Sequence, residues 1–420
     1  MLVFYSLALL LVLVVGSPYW LFRMATSGKY REGLAERLGR VPRRVVESLR
    51  GEPVIWVHAV SVGEVLAASR LIEELQVRTS GFRIVISTTT RTGQTLARER
   101  FGADRVFYFP LDFAWSVRAY LKVLRPKMLV LLETEFWPRL LVECRRAGTP
   151  VVVVNARISD RSWPRYKRLR FLWKRVLGNL SLVLAQSELD VERLRVLGAA
   201  NVSFGGNLKY DVRAVKAAAV TLALREHMSQ GAKVLVCGST LEGEEQMLLD
   251  AMPPDVVAVI APRHPERFEV VAQLLRQRGV TWVRRSDWIE AEMAILPGTV
   301  VLLDSIGELA SVYSLATVAF VGGSLVAAGG HNPLEPAQFG IPIVMGPYYE
   351  NFRGIVEALK GQGGIRIVES DALRAAFLEL LGDQVAGRKL GAQARHVFES
   401  EAGATSRAVD ALLQVLGAQA

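Results

Sequence analysis

Residues 54–75, VIWVHAVSVGEVLAASRLIEEL, decide the fold class. The first seven of them form an apolar run with β-branched and aromatic side chains, which is typical of a buried strand. From Gly63 onward the apolar residues recur at helical spacing. Because a strand followed directly by a helix begins a βαβ unit, the sequence predicts a parallel sheet of the α/β class.

The same alternation recurs in two halves of the chain, separated by a charged, alanine-rich stretch without a strand signal. We predict a transmembrane anchor over 1–22, a Rossmann-like domain over 23–210, a linker over 211–232 and a second Rossmann-like domain over 233–420. We expect the two domains to face each other across a cleft. The further predicted strands are 82–88, 105–109, 127–133, 150–156, 182–186, 233–240, 255–265, 281–285, 299–304, 318–324, 341–346 and 364–370.

Residues 1–22 are uncharged and reach the roughly 20 apolar residues that span a bilayer. No Lys or Arg precedes this run, whereas seven lie between Arg23 and Arg44. The positive-inside rule then predicts one transmembrane helix with the rest of the chain in the cytoplasm. The alternative is a helix that packs in a core or rests on the membrane, but residues 1–22 have no polar face.

The composition limits the class of partner and of site. A net charge of +10 favours an anionic partner, which leaves nucleic acid, a membrane surface and phosphorylated ligands open. Cys144 and Cys237 lie far apart, and the five histidines form no ligand spacing, so we expect no metal site and a reducing compartment. Neither half carries GxGxxG after its first strand, which disfavours dinucleotide binding.

Two groups of polar residues in the first half are candidates for chemistry. Ser61 and Glu64 have the spacing of a helix capping box, yet a carboxylate at a strand-to-helix turn also lies where α/β sheets bind ligands. Glu64 is therefore either a cap or a base. Glu133 and Glu135 follow a strand and would face the same side of an extended segment, with Lys209 placed near the linker.

The second half holds candidate anion sites at strand ends. Arg263 could pair with a phosphate, and residues 305–308 combine a helix start with a second capping-box spacing. The loop 320–340 is rich in glycine, which lets backbone approach a ligand, and Glu335 after it could accept ribose hydroxyls.

Residues 157–175 combine basic and aromatic side chains. Such a stretch could stack on nucleic acid bases or bind anionic lipid headgroups. The predicted anchor favours the membrane, so we expect no nucleic acid partner.

Taken in order, six motifs of the chain resemble those of Kdo transferases, which add 3-deoxy-D-manno-octulosonic acid (Kdo) to a lipid A precursor in Gram-negative bacteria. The motifs are SVGE (61–64), ETEFWP (133–138), NLKYD (207–211), PRHPER (262–267), IGEL (306–309) and FVGGSLVAAGGHNPLEPA (320–337). The resemblance implies a GT-B glycosyltransferase at the bacterial inner membrane. It also implies CMP-Kdo as donor substrate, inversion at the sugar carbon, a lipid A precursor such as lipid IVA as acceptor, and no metal ion or other cofactor.

The resemblance also assigns roles to residues of this chain. Glu64 is similar to the general base of the family, and Glu135 and Lys209 are similar to residues that stabilise the transition state. The residues that match the CMP-holding stretches are Pro262, Arg263, Ile306, Gly307, Glu308, Asn332, Pro333, Leu334 and Glu335.

The chain departs from the family pattern at Thr317, where aspartate is common, and at Tyr348, where histidine is usual. Two alternatives remain open from the residues alone. One is another GT-B sugar-nucleotide enzyme, such as an epimerase, and the other is a non-catalytic, membrane-bound nucleotide-binding protein. An epimerase has no need of an anchor, so residues 1–22 count against it.

Overall fold

The computed structural model describes residues 2–27, 31–212, 217–291 and 293–418. The chain forms two compact units, the first comprising Met1–Val212 with Ala402–Ala420 and the second comprising Arg213–Glu401. Each unit is built on one seven-stranded sheet.

The first unit contains a parallel sheet in the order β3-β2-β1-β4-β5-β6-β7. Its strands are β1 (Val54–His58), β2 (Arg83–Thr88), β3 (Val106–Tyr108), β4 (Pro126–Leu132), β5 (Val151–Ala156), β6 (Leu182–Ala185) and β7 (Val202–Phe204). Its helices before residue 212 are α1 (Leu2–Ser27), α2 (Leu34–Arg37), α3 (Arg43–Ser48), α4 (Val62–Arg78), α5 (Arg91–Phe101), α6 (Ala114–Leu124), α7 (Pro138–Arg146), α8 (Trp163–Arg168), α9 (Arg170–Leu177) and α10 (Glu188–Val196).

The second unit repeats the architecture in the order β10-β11-β9-β8-β12-β13-β14, again parallel. Its strands are β8 (Lys233–Thr240), β9 (Val256–Pro262), β10 (Trp282–Arg284), β11 (Val300–Leu302), β12 (Val318–Val321), β13 (Ile343–Met345) and β14 (Arg366–Ile367). Its helices are α11 (Ala219–His227), α12 (Glu244–Ala251), α13 (Phe268–Gln277), α14 (Arg285–Ala291), α15 (Leu309–Val312), α16 (Leu334–Ala337), α17 (Arg353–Gly361), α18 (Leu373–Gly382) and α19 (Gln384–Ser400).

All the strands predicted from sequence are present, and β7 is an addition of three residues. The apolar runs are continuous because both faces of each sheet are covered. Along β1, Trp56 packs into the core on one face, and Ile55 and Val57 pack into the core on the other.

Each sheet has a point at which the order of strands reverses. In the first sheet β1 lies between β2 and β4, and in the second β8 lies between β9 and β12. Ligands of open α/β sheets bind outside the carboxyl ends of the strands at such a point. The residues that follow β1, β4, β8 and β12 are therefore the ones to inspect for a site.

The last helix, α20 (Ala404–Gly417), belongs to the first unit, which corrects the predicted second domain of 233–420. Buried residues of α20, such as Leu412, share a core cluster with Leu71 and Leu75 of α4. The Asp211 carboxylate holds the start of α20 by accepting hydrogen bonds from the N–H groups of Gly403 at 2.7 Å and Thr405 at 2.5 Å. The predicted linker, in turn, contains α11 of the second unit.

We predict that Asp211→Ala lowers the free energy of unfolding by about 1.5–3 kcal/mol, because it leaves backbone N–H groups at a helix start without their charged acceptor. Urea denaturation followed by tryptophan fluorescence measures the change. Asp410→Asn is the matched control, since Asp410 lies on α20 itself but is about half exposed and pairs with Arg78 on the surface. Equal stability of the Asp211 variant and the parent would show that this carboxylate does not hold α20.

Candidate active site

Glu64 lies on the first turn of α4, directly after β1. Its Oε2 accepts a hydrogen bond from the Val60 N–H at 2.8 Å, and its Oε1 accepts one from the Ser61 hydroxyl at 3.1 Å. The Ser61 side chain gives no cap to the helix N–H groups, and Glu64 binds the N–H of Val60 rather than that of the N-cap residue Ser61, so neither bond of the predicted capping box forms. Glu64 instead holds the turn between β1 and α4.

The surroundings of Glu64 favour its protonated form. Burial raises the pKa of Glu64 to about 7, and the nearby Glu133 and Glu135 carboxylates also act to raise it, against the hydrogen bonds from Val60 and Ser61. A carboxyl group that titrates near neutral pH can take a proton and release it again. These electrostatic effects indicate that Glu133 and Glu135 lie near Glu64.

The segment after β4 differs from its prediction. Glu133 has φ +55°, in the left-handed region, so residues 133–135 turn rather than extend. The argument that both carboxylates face one side of an extended segment was therefore wrong, although both lie near Glu64. Burial, and then Glu133, raise the pKa of Glu135.

Lys209 lies in a 3-10 turn over Leu208–Asp211, with its Nζ 4.0 Å from Glu133 Oε1. Asn155, which sequence reasoning missed, fixes this turn because its Oδ1 accepts a hydrogen bond from the Leu208 N–H at 3.1 Å. Asn155 is buried and has φ +61°, a conformation that asparagine adopts more readily than most residues. The sequence signal that could have identified Asn155 is a polar residue near the end of the apolar run VVVVNA.

In the second unit, Arg263 lies near His331 and Glu335. Arg263 follows β9 and is exposed, and its charge acts on both His331 and Glu335. Burial raises the pKa of Glu335 to about 7, and Arg263 and Asn332 oppose the rise. Pro262 ends β9, and Pro333 and Leu334 begin α16 next to Glu335.

Ile306, Gly307 and Glu308 form a turn before α15, in which Ile306 and Gly307 are exposed and Glu308 is partly buried. Glu308 accepts hydrogen bonds from the Ser305 hydroxyl and, at 2.6 Å, from Arg285 Nη2. The helix starts one residue later and has four residues, so the predicted capping box does not form there. Ile306 presents an exposed apolar side chain beside these charges.

Glu244 at the start of α12 was not predicted from sequence. Its carboxylate is fully buried and accepts four backbone hydrogen bonds, at 2.7–2.9 Å, from the N–H groups of Leu241, Gly323, Ser324 and Leu325. The backbone N–H groups at the start of the glycine-rich loop therefore donate hydrogen bonds to Glu244. The prediction that this backbone approaches a ligand finds no support at Gly323.

The two departures from the family pattern lie in different places. Thr317 precedes β12 at the amino edge of the sheet, where its hydroxyl accepts a hydrogen bond from the Val234 N–H at 3.0 Å. Tyr348 follows β13 at the opposite edge, and its N–H donates to the Ser324 carbonyl at 3.0 Å while its side chain is partly exposed. The Tyr348 loop thus contacts the glycine-rich loop through backbone.

In the basic stretch 157–175, three of the four aromatic residues pack inward. Trp163, Tyr166 and Trp173 contact the core of the first unit, whereas Phe171 is exposed. The aromatic side chains are therefore mostly unable to stack on bases. The exposed basic residues of the stretch are Arg161, Arg165, Lys167, Arg168, Arg170, Lys174 and Arg175.

The chain is similar in sequence to proteins of one known family. A family model described as 3-Deoxy-D-manno-octulosonic-acid transferase (kdotransferase) matches residues 32–212. A 3-deoxy-D-manno-octulosonic acid transferase of Haemophilus influenzae is 35% identical over 399 residues, which cover 92% of each chain.

Two solved structures share the fold at low sequence identity. One is UDP-GlcNAc 2-epimerase from Neisseria meningitidis, with TM-score 0.56 and 12% identity over 86% of this chain and 100% of that one. The other is MurG of Acinetobacter baumannii, with TM-score 0.52 and 14% identity over 86% of this chain and 99% of that one. The predicted GT-B fold class is confirmed.

We predict that Glu244→Gln lowers the free energy of unfolding by at least about 2 kcal/mol, because a neutral amide replaces the charged acceptor of buried N–H groups. Hydrogen exchange at Gly323, Ser324 and Leu325 should also become faster. Glu242→Gln is the control, since that side chain is 91% exposed. Unchanged exchange at these amides would mean that the loop is held by other contacts.

Proposed function

The chain belongs to the 3-deoxy-D-manno-octulosonic acid transferase family, so it is a glycosyltransferase, and we propose that it transfers Kdo from CMP-Kdo to a lipid A precursor such as lipid IVA. The observation that carries this proposal is the placement of Glu64. A buried carboxyl group with a pKa of about 7 lies at the strand-order reversal of the first sheet, beside Glu133 and Glu135.

Glu64 acts as the general base. It takes the proton of an acceptor hydroxyl, whose oxygen then forms a bond to the reacting carbon of Kdo. The bond between that carbon and the CMP phosphate oxygen breaks, and CMP leaves with the electron pair. Attack from the face opposite the leaving group inverts the carbon, and the proton ends on Glu64.

We propose that cationic side chains, rather than a metal ion, stabilise the charge that develops in this step. Lys209 is held by its 3-10 turn near Glu133 and supplies one cation. Arg263 supplies another and matches phosphate oxygens with its planar guanidinium. We propose that Glu135, a half-buried carboxyl group near Glu64, also helps to stabilise the transition state.

The donor is proposed to bind the second unit. Arg263 lies close enough to Glu335 and His331 to influence both, so one ligand could contact all three. The phosphate of CMP would pair with Arg263, and the ribose hydroxyls would donate to Glu335. The turn of Ile306, Gly307 and Glu308 and the Asn332–Leu334 segment complete the proposed donor site.

The acceptor is proposed to bind the first unit, at the cytoplasmic face of the bacterial inner membrane. Two features support this placement. The first is α1, of which Leu2–Trp20 is long and apolar enough to cross a membrane. The second is the exposed basic surface of α8 and α9, which suits a phosphorylated lipid and anionic headgroups.

We predict that Glu64→Gln reduces Kdo transfer by about 10²- to 10⁴-fold, because glutamine can accept the Val60 hydrogen bond through its amide oxygen and donate its NH2 group to the Ser61 hydroxyl, but cannot take a proton. CMP release measured with both substrates tests this, with melting temperature and CMP affinity near those of the parent. In the parent, transfer should rise with pH up to about 7, since burial raises the pKa of Glu64 to about 7 and the base must be deprotonated.

Glu73→Gln is the matched control, because Glu73 lies on the same helix with its side chain 59% exposed. A Glu64→Gln enzyme that transfers Kdo within a few-fold of the parent would remove Glu64 as the base. Glu133 and Glu135 would then be the next candidates.

We predict that Arg263→Ala weakens CMP binding by about 1.5–3 kcal/mol, the range of hydrogen bonds to charged groups. Isothermal titration with CMP measures the loss. Arg276→Ala on α13 is the control, since its side chain is 54% exposed and pairs with Glu269. Unchanged affinity in the Arg263 variant would exclude this residue from the donor site.

A further inference from the structure

The first helix is half-buried along one face. The half-buried positions recur at helical spacing from one end of the apolar segment to the other, and the residues between them are mostly exposed. The half-buried residues are Leu2, Tyr5, Ser6, Leu9, Leu13, Gly16, Ser17 and Trp20.

The amino end of α1 contacts the body of the first unit. Arg139 Nη2, on α7, donates a hydrogen bond to Ser6 Oγ at 3.2 Å. The Tyr5 hydroxyl is hydrogen-bonded to the carboxylate of Asp112, which precedes α6. Asp112 in turn accepts hydrogen bonds from the N–H groups of Arg139 at 2.9 Å and Leu140 at 2.7 Å.

The chain beyond α1 also contacts this unit. At Gly33, before α2, an added Cβ would overlap the Tyr108 ring on β3. Both the amino end of α1 and the segment that follows it therefore lie on the first unit. If α1 crossed a bilayer, Ser6 would be carried about 21 Å beyond Trp20, because a helix rises 1.5 Å per residue. Ser6 could not then reach Arg139.

We propose that α1 does not cross the membrane but lies along the first unit and buries its exposed face in the cytoplasmic leaflet. The exposed face contains large apolar side chains, including Phe4, Leu11 and Val15. A helix that lies on a membrane usually has a polar face toward water. Here the first unit contacts that face at Tyr5 and Ser6, so in this proposal the protein takes the place of water on that side.

The surface beside the amino end of α1 has the chemistry of a headgroup region. Trp115, 55% exposed, stacks on Phe113 next to Asp112. Tryptophan is enriched at the level of lipid headgroups. Arg118 and Arg146 flank Glu143, with side chains 58% and 57% exposed.

Glu143 also contacts Arg139, so the three arginines outnumber the carboxylate that joins them. The occupant of this surface is therefore an anionic lipid leaflet. The inference rests on the proposed attachment of the chain to the membrane.

Labelling in cells tests the orientation of α1. A short Gly/Ser extension with one cysteine is added before Met1, and intact cells with a permeable outer membrane are treated with a membrane-impermeant maleimide. The extension should stay unlabelled until the inner membrane is opened. The native Cys144 and Cys237 are buried, so the chain without the extension is the background control. Val385→Cys, 72% exposed in the second unit, is the control for a cytoplasmic position.

Crosslinking in native membranes provides the second measurement. A short bis-maleimide should join Ser6→Cys to Arg139→Cys, as detected by mass spectrometry of the linked peptides. The pair Val12→Cys and Arg139→Cys is the control, because Val12 is 58% exposed on another part of the helix. The Ser6 pair should crosslink several-fold more than the Val12 pair.

The outcomes distinguish the proposed orientation of α1 from the proposed attachment of the chain to the membrane. Labelling of the extension in intact cells, or equal crosslinking of the two pairs, would overturn the proposal that α1 lies along the unit. Recovery of the full chain in the soluble fraction would instead refute its attachment to the membrane. An unlabelled extension with a specific Ser6 crosslink supports the orientation proposed here.

Discussion

The parallel arrangement of the strands is the constraint on which the rest of the structure depends. A parallel strand must begin at the same edge as its neighbour, so each connection crosses back as a helix and every strand ends at one edge. Because β1 and β4 pair directly, Glu64 and Glu133, which are distant in sequence, come together at that edge. The polar chemistry collects there since the interior of the sheet is apolar on both faces.

Two glutamates at equivalent turns are suited to different tasks by their surroundings. Glu244 accepts four backbone hydrogen bonds and is fully buried, so it holds the start of the glycine-rich loop. Glu64 accepts one backbone and one hydroxyl hydrogen bond and lies near two other carboxylates. Burial raises the pKa of Glu64 to about 7 against these two hydrogen bonds, so its protonated and charged forms are close in energy near neutral pH.

Much of the fold was predictable because buried parallel strands leave a local signature in sequence. The strand β7 was missed, since only Val202 of its three residues is buried and the strand therefore leaves no apolar run in the sequence. The placement of α20 could not be predicted, because it depends on Asp211, 192 residues before Gly403. The partners of Glu244 are also remote, with Ser324 separated from it by 80 residues. The site residues were recognised from their motifs. The turn at Glu133 was not predicted, because a positive φ at a glutamate has no local sequence pattern.

The return of the final helix to the first unit has a consequence for biosynthesis. Most of the first unit precedes the second in the chain, but α20 follows the whole of the second unit and is therefore synthesised after it. Until then the apolar face of α4 that includes Leu71 and Leu75 lacks its covering helix. The first unit of the nascent chain therefore stays incomplete while the second is synthesised. The two units cannot complete their folding strictly one after the other.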